Sequence, residues 1–300
     1  MPLLGSLLEK SAQRRASLQL TDTDAFRLVD GVGDQLPGIH IDLFAGRRLI
    51  SIVGEQLPQD LKEWAAKIGA STYWKRLDQH ERESPRHLSG VPQREPFPIL
   101  EHGVRYQVSF QAGYSQGIFL DQRDNRERVR QRSQAGDSVL NTFAYTGAFS
   151  VCAALGGAIT TTLDLSQPYL DWARDNMHLN EINPDGHYFC KGDTFHWLRR
   201  FARQGRTFNG IVLDPPTFSR DDKGKVFRAE EDYGHLVELA AACLAPNGWL
   251  LCTTNCRRLA DHEFERTVRD ALPKSTRLEA HAMPPDFVGE NYLKSLLAVI

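Results

Sequence analysis

Several features that would place a protein in a familiar class are scarce or missing in this chain of 300 residues. The five cysteines, at positions 152, 190, 243, 252 and 256, form no C-x-x-C pair, and the ten histidines form no H-E-x-x-H motif. These spacings exclude the common zinc motifs, so we expect reduced cysteines and no bound metal. Long apolar runs are also missing, and no membrane span is expected.

The first fifteen residues, MPLLGSLLEKSAQRR, have little of what a signal peptide needs. No basic residue precedes their brief apolar run, and no convincing cleavage site follows it. We therefore expect a short helical lead-in and a cytoplasmic protein.

Net charge is close to zero, at −2 with a pI near 6.6, which argues against a protein that coats nucleic acid by bulk electrostatics. Local clusters remain: five arginines lie between Asp121 and Arg132, and a second group comprises Arg199, Arg200, Arg203 and Arg206. A solvated helix face is the favoured interpretation of that second group. A third group, Arg257-Arg258, follows an apolar run and supplies candidate phosphate contacts.

The apolar run Phe208–Leu213 ends in Asp214-Pro215-Pro216-Thr217-Phe218. Open α/β sheets bind ligands at the carboxyl ends of their strands, where this segment is expected. The two prolines fix φ and remove N–H groups, so the loop can offer carbonyl acceptors to the edge of a flat substrate. Taken alone, the motif is explained equally well as a structural diproline turn.

A strand, a tight turn, a helix and a second strand are predicted between Ser138 and Asp164. This βαβ arrangement binds adenosine-containing cofactors, and the acidic residue after the second strand accepts ribose hydroxyls. Asp193 closes the next predicted strand and is expected to accept from an adenine amino group. Each aspartate taken singly is more often a helix cap or loop residue, but three strand ends in succession carry one.

The turn has only one glycine, Gly147, where G-x-G-x-x-G would need three. Close approach of a pyrophosphate is therefore not provided for, which argues against hydride transfer with NAD. A cofactor without phosphates, such as S-adenosylmethionine, fits the turn better.

Three segments, NTFAYTGAFSVCAALGGAITTTLDLSQPYLDWARDNMHLN, GIVLDPPTFSR and LLCTTNCRRL, resemble a known family. They are similar to the class I S-adenosylmethionine-dependent RNA methyltransferases that modify bases of bacterial 23S rRNA, the RlmI/RlmK type. DAFRLVDGVGDQLPGIHIDLFAG and SQGIFLDQRDNR extend the resemblance upstream to about residue 20. Full-length relatives often begin with a further small RNA-binding, PUA-like module, for which this chain has no room.

The resemblance implies site residues at matching positions of this chain. Phe218 becomes a candidate stacking surface for an unstacked base, although a core aromatic that closes the loop is an equally good interpretation. The implied catalytic residues are Asp214, Pro215, Phe218 and Asn255, and the implied cofactor-binding residues are Gln116, Arg123, Asn141, Phe143, Tyr145, Gly147, Asp164, Ser166, Asp193 and Asp214.

The methylated atom depends on whether a cysteine reaches the base. Methylation of cytosine C5 needs a thiolate that adds to the ring, whereas guanine N7 or an amino nitrogen does not. In an ungapped match from Gly248 the family's cysteine position falls on Asn255, and Cys256 comes one residue later. Strand side chains alternate between faces, so a shift of one residue turns the thiol of Cys256 away from the cleft. We therefore favour guanine N7 or an amino nitrogen, which Thr217 in the DPPTF motif also supports. Loop geometry that brings Cys256 to a cytosine is the alternative.

Other functions stay open at this stage. The same fold can methylate another RNA or a small molecule, or bind the cofactor without turnover as a ribosome-assembly factor. The expected partner is 23S rRNA or another RNA, with no membrane and no metal, and a homodimer is left open.

The predicted fold class is α/β, a seven-stranded Rossmann-like methyltransferase sheet with a smaller N-terminal α+β domain. Domains are expected over 1–95, a candidate substrate-binding unit, and 96–300, the methyltransferase domain. Residues 78–98 are interpreted as a linker or exposed loop. The closing segment 292–300 is expected to run antiparallel, because no crossover fits before it. Helices are expected over 118–132, 148–155, 168–179, 194–203, 230–244 and 260–271.

Overall fold

The computed structural model describes residues 4–77, 83–220, 224 and 226–300. The chain divides into two compact units: unit 1 is Met1–Arg123 with Pro284–Asn291, and unit 2 is Asp124–Met283 with Tyr292–Ile300. The boundary expected from the sequence lies at 95/96, earlier than this division. The functional roles assigned to the two domains stay predictions.

Unit 1 is built on a five-stranded sheet whose strands lie in chain order. The third and fourth strands are parallel and the other pairs antiparallel. A helix, α2, connects the parallel pair and buries Leu61 and Ala65 in the core. The elements are α1 (Leu4–Ala16), β1 (Ala25–Asp30), β2 (Ile39–Phe44), β3 (Arg47–Ile52), α2 (Gln59–Ile68), β4 (Thr72–Arg76) and β5 (Arg86–Ser89), followed by the separate hairpin β6 (Phe97–Glu101) and β7 (Val104–Val108).

The interpretation of residues 78–98 as linker or loop is wrong where the structure forms β5, which pairs with β4, and where β6 begins at Phe97. Residues 78–82 of that segment lie outside the described part of the chain. The sequence Arg86-His-Leu-Ser89 has no apolar alternation, because β5 is an edge strand that is only partly buried. Its backbone pairing with β4 supplies the stability that its side chains do not.

A buried ion pair fixes the segment Pro284–Asn291 within unit 1. Arg123 Nη2 donates to Asp286 Oδ1 at 2.5 Å, and these side chains are 1% and 0% exposed. The other carboxylate oxygen of Asp286 accepts from the backbone N–H of Arg27 at 2.8 Å, and its carbonyl accepts from Arg15 at 2.8 Å. Arg15 in turn forms a bidentate pair with Asp34, at 2.7 Å for both contacts.

Unit 2 contains a seven-stranded sheet in the order β10-β9-β8-β11-β14-β16-β15. The strands are β8 (Ser138–Thr142), β9 (Ile159–Asp164), β10 (Tyr188–Lys191), β11 (Phe208–Leu213), β14 (Leu244–Thr254), β15 (Arg277–His281) and β16 (Lys294–Val299), and a separate hairpin is formed by β12 (Phe218–Arg220) and β13 (Val226–Arg228). The helices are α3 (Arg123–Arg132), α4 (Ala148–Leu155), α5 (Gln167–Leu179), α6 (Thr194–Arg203), α7 (Ala229–Ala241) and α8 (Asp261–Asp270).

The predicted α/β class with its seven-stranded sheet is confirmed. Strands β10, β9, β8, β11 and β14 are parallel, and β16 runs antiparallel to both β14 and β15, as expected for the closing segment. The central strand β11 reads as a continuous apolar run because Ile211, Val212 and Leu213 are each fully buried.

The helix expected over 118–132 begins later, at Arg123. Phe119 is extended, at φ −107° and ψ 107°, and a short 3₁₀ turn over Leu120–Gln122 precedes α3. Ile118 and Leu120 are both buried. Side chains two residues apart point to the same side of an extended chain but to nearly opposite sides of a helix, so the extended path buries both. Within the described ranges, no helix is long and apolar enough to span a bilayer.

Candidate active site

The carboxyl ends of five parallel strands form one edge of the unit 2 sheet. Across this edge, β10, β9, β8, β11 and β14 lead in that order to Asp193, Asp164, Phe143, Asp214 and Asn255. Because parallel strands end on the same side, the sheet brings these predicted residues to one edge. Ligands of open α/β sheets bind there.

The turn after β8 has an unusual backbone. Phe143, Tyr145 and Gly147 all have positive φ, at 50°, 49° and 73°. A Cβ atom on Gly147 would lie 2.5 Å from the Cβ of Ala173 in α5, so only glycine fits this close approach. Backbone strain in non-glycine residues clusters at ligand-binding sites, which agrees with the predicted role of this turn.

Asp164 holds the turn by both of its oxygens. Oδ2 accepts from the backbone N–H of Tyr145 and Oδ1 from that of Ser166, each at 2.8 Å. Burial raises the pKa of Asp164, and the hydrogen bonds from Ser166 and Tyr145 work against that rise. Three predicted cofactor residues are thus joined by one carboxylate.

A chain of buried hydrogen bonds lies beneath the turn. Asn141 Nδ2 donates to Ser150 Oγ at 3.0 Å, and Thr162 Oγ1 donates to the same oxygen at 2.8 Å. No donor among the described residues reaches Asn141 Oδ1, although this atom is buried. A buried acceptor without a donor is costly, and a ligand that brings an N–H or O–H group would satisfy it.

Asp193 lies at the outer end of this edge and starts α6. Its Oδ1 accepts from the backbone N–H of His196 at 2.8 Å, so the side chain is the N-cap of the helix. This is the cap function that the sequence alone also allowed. The predicted contact with an adenine amino group stays a prediction.

The diproline segment is anchored from the neighbouring strand and from α7. Thr253 Oγ1 donates to Asp214 Oδ1 at 2.5 Å. Tyr233 donates from its hydroxyl to the carbonyls of Leu213 and Thr253, at 3.0 and 2.9 Å, and so ties the ends of β11 and β14 together. Pro215 is buried. Thr253 and Tyr233 were not among the residues predicted from the sequence, because the hydrogen bonds that reveal their role join segments far apart in the chain.

A cavity of about 440 Å³ opens beside this corner. Phe218, 53% exposed, and Asn255 lie in its wall, and Thr217 Oγ1 donates to Asn255 Oδ1 at 2.8 Å. The structure therefore brings together two of the predicted catalytic side chains and the threonine of the DPPTF motif. The full lining is Thr217, Phe218, Arg228, Glu230, Asn255, Cys256, Arg257 and Arg258.

Cys256 borders the same cavity, but it is 0% exposed. Its thiol donates to Glu230 Oε2 at 3.3 Å, and this hydrogen bond is the main cause that lowers the pKa of Glu230. Asn255, one residue earlier, is exposed. Cys252 is buried as well, and burial raises its pKa to about 12.

Gln116 and Arg123, the other two residues that the resemblance assigns to the cofactor, belong to unit 1. Lys75 Nζ donates to Gln116 Oε1 at 3.1 Å, and Gln116 Nε2 donates to the carbonyl of Tyr114 at 2.6 Å. The guanidinium of Arg123 is paired with Asp286. Both side chains thus have partners within unit 1, and their cofactor role stays a prediction.

Comparison with known proteins defines the class. The sequence model of the S-adenosylmethionine-dependent methyltransferase family matches residues 46–299, so the chain belongs to this family. It is an enzyme whose cofactor is S-adenosylmethionine, as predicted.

Individual relatives are similar over almost the whole chain. The putative ribosomal RNA large subunit methyltransferase YwbD of Bacillus subtilis is 35% identical, covering 97% of this chain and 79% of its own length. Ribosomal RNA large subunit methyltransferase I of Shewanella amazonensis is 32% identical, with 96% and 77% covered. The crystal structure of SMU.776, a putative methyltransferase complexed with SAH, is 30% identical, has a TM-score of 0.90 and covers 98% of this chain and 80% of that one.

Proposed function

We propose that this enzyme methylates a base of large-subunit ribosomal RNA, at guanine N7 or at an amino nitrogen. The RNA class is supported by the relatives, whose names describe ribosomal RNA large subunit methyltransferases. The atom is supported by a single observation: at the end of β14 the exposed side chain is Asn255, whereas the thiol of Cys256 is buried against Glu230. Such a substrate is found in the cytoplasm.

The residues at the strand ends fit S-adenosylmethionine. Its methionine part carries an ammonium group and its ribose carries hydroxyls, and both are donors of the kind that Asn141 Oδ1 requires. In this proposal Asp164 and Ser166 lie beside the ribose, Asp193 beside the adenine, and Phe143, Tyr145 and Gly147 form the turn around the cofactor. When bound, the cofactor supplies a methyl group on a sulfonium, which is already strongly activated.

The protein then has to position the base and exclude water. A base in folded RNA must first be unstacked, and the exposed ring of Phe218 offers a flat surface for it. For an amino nitrogen, the carboxylate of Asp214 and the carbonyl of Pro215 accept its hydrogens and orient its lone pair. Guanine N7 already has an in-plane lone pair and needs no base.

Thr253 and Tyr233 act as positioning residues in this proposal. The hydroxyl of Thr253 donates to Asp214 Oδ1 and so fixes the orientation of this carboxylate at the end of β11. Tyr233 holds the ends of the two strands that carry Asp214 and Asn255. Removal of either hydroxyl should lower the rate of methyl transfer more than cofactor affinity.

One observation favours cytosine C5 as a second candidate. The Cys256 thiol borders the cavity and lies 3.3 Å from a carboxylate, which would serve as a base for it. For this reaction the thiol of Cys256 would have to reach the base. Its burial in the structure argues against that role.

The test is methyl transfer from labelled S-adenosylmethionine to large-subunit rRNA purified from cells that lack the protein. Nucleoside mass analysis identifies the product, and Asn255→Ala is compared with Cys256→Ser. We expect a methylated guanine or an N-methylated base, a large loss in Asn255→Ala and near-normal activity in Cys256→Ser. A 5-methylcytosine product, with covalent trapping on 5-fluorocytosine RNA that disappears in Cys256→Ser, would refute the nitrogen assignment. Label on a small molecule, or none on any acceptor, would refute the rRNA substrate.

A further inference from the structure

Helix α6 differs from α5 and α8 because it has no acidic residue of its own that could pair with its arginines. Arg174 of α5 pairs with Asp171 at 2.8 Å, and Arg269 of α8 pairs with Glu265 at 2.6 Å. By contrast, α6 contains no acidic residue, and its exposed Arg200 and Arg203 form no ion pair with any described residue. Two adjacent positive charges are therefore left uncompensated on this surface.

Aromatic rings lie beside two of the nearby arginines. Tyr188, on β10, is 55% exposed, and the guanidinium of Arg206 lies 5.0 Å from its ring centroid. Arg200 lies 4.8 Å from the ring centroid of Trp197 in the same way. Strand β10 is the outer strand of its sheet, so this face has no neighbouring strand among the described residues.

Electrostatics supports the same grouping. Cys190 lies two residues after Tyr188 and so points to the same face of β10. Burial raises the pKa of Cys190, and the positive charges of Arg206 and Arg200 work against that rise. We define the α6 face as Tyr188, Trp197, Arg200, Arg203 and Arg206.

We propose that the α6 face binds a single-stranded stretch of the RNA substrate, with Arg200 and Arg203 on phosphates and Tyr188 stacked on an unpaired base. Grooves that bind single-stranded RNA combine cations along the backbone with aromatic rings under the bases. The face has both, and its charge is opposite to that of RNA, although the chain as a whole has a net charge of −2. This inference rests on an RNA substrate, and it replaces the solvated-face interpretation of these arginines.

The test is RNA affinity, measured without turnover so that it is independent of the methyl-transfer assay. The probes are a fluorescein-labelled single-stranded RNA oligonucleotide of mixed sequence and purified large-subunit rRNA, titrated over a salt series by fluorescence anisotropy. We expect Arg200→Ala/Arg203→Ala to weaken oligonucleotide binding about tenfold at low salt. The slope of log affinity against log salt should fall in magnitude by about 1.4, or about 0.7 per lost phosphate contact.

The matched control is Arg266→Ala/Arg269→Ala on α8, which removes the same charge from another exposed helix of the same unit. We expect it to leave both affinity and slope near the parent values. Tyr188→Ala should weaken binding about fivefold or more, whereas Tyr188→Phe keeps the stacking ring and should bind normally. S-adenosylmethionine affinity should be unchanged in all four variants.

Equal losses in the α6 and α8 variants would overturn the proposal, because the effect would then be one of net charge. Unchanged RNA affinity with a change from dimer to monomer in sedimentation would also overturn it and would assign the face to a second copy of the chain. If the parent protein methylates rRNA while the α6 variant binds RNA normally, this inference alone fails. If RNA binds through the α6 face but no base is methylated, the proposed function alone fails.

Discussion

Two pairs of arginines, one pair in each unit of this enzyme, are used in opposite ways. In unit 1, Arg15 and Arg123 are almost fully buried and paired with Asp34 and Asp286. In unit 2, Arg200 and Arg203 are exposed on a helix without acidic residues. A guanidinium that is buried with a carboxylate fixes the position of chain segments, whereas an exposed and unpaired one stays available to an anionic partner. A cluster of arginines in a sequence therefore predicts RNA contacts only after the arginines that are paired with carboxylates have been set aside.

The largest effect is expected when the buried ion pair between Arg123 and Asp286 is broken. Asp286→Ala leaves the guanidinium of Arg123 buried without its partner, which should lower the free energy of unfolding by about 3–5 kcal/mol. Urea denaturation followed by fluorescence measures the change. Asp270→Ala, on the exposed end of α8, is the control and should be near neutral. A loss below about 1 kcal/mol in Asp286→Ala would show that water reaches the pair.

A second prediction concerns Lys75, a partly buried cation of unit 1 that donates to oxygens of Tyr114 and Gln116 and not to a carboxylate. Burial lowers its pKa from 10.5 to about 8, although Asp42 works against that change. Between these two pH values the unfolded chain holds the proton and the folded chain does not, so stability should rise as the pH increases. The gain relative to Lys75→Met is on the order of 3 kcal/mol across this window.

Unfolding of the parent protein and of Lys75→Met should be compared at several pH values between 8 and 10.5. The methionine keeps the length of the side chain and removes the titration. A difference between the two proteins that does not vary with pH would contradict the lowered pKa.

A third prediction concerns Asp164, which is neither fully buried nor exposed. Its carboxylate accepts two backbone N–H groups of the chain itself. If it also accepts ribose hydroxyls, Asp164→Ala should weaken S-adenosylmethionine binding about tenfold to a hundredfold. Calorimetry measures the affinity, with Asp185→Ala as an exposed control. An unchanged affinity in Asp164→Ala would leave this aspartate with only its role in the turn.

The smallest effect is expected on the exposed side. Arg269 pairs with Glu265 at 2.6 Å, but both side chains are about half exposed. Arg269→Ala should therefore change the free energy of unfolding by less than about 0.5 kcal/mol. Urea denaturation of Arg269→Ala and Asp286→Ala side by side measures the difference. A loss above about 1 kcal/mol in Arg269→Ala would mean that burial does not explain why one ion pair contributes more to stability than the other.

Much of unit 2 follows from the sequence because its signals are local. Apolar runs such as Phe208–Leu213 are buried on both faces, and a run of five apolar residues closes the chain without room for a crossover before it. The strand ends that place Asp164, Asp193 and Asp214 at one edge follow from the same pattern. A polar edge strand such as Arg86–Ser89, in unit 1, is not revealed by the apolar pattern, because its stability comes from backbone pairing with another segment, β4.

The chemistry of the site was only partly predictable, since it depends on partners far apart in the chain. Asn255 is exposed and Cys256 is buried, although both border the cavity and both follow the end of β14 at Thr254. The bond from Thr253 to Asp214 joins residues 39 positions apart, and the thiol contact to Glu230 spans 26. Likewise, nothing near Arg123 in the sequence shows that it is paired with Asp286, 163 residues later.

The segment Pro284–Asn291 has a consequence for how the protein is made. Unit 1 needs Asp286, yet this residue is translated after nearly all of unit 2. The N-terminal sheet therefore leaves the ribosome before the carboxylate partner of Arg123 has been made, and unit 1 is completed only when synthesis is almost finished. A proteolytic fragment that ends at Arg123 would also lack Asp286, so the chain up to Arg123 is not a complete folding unit.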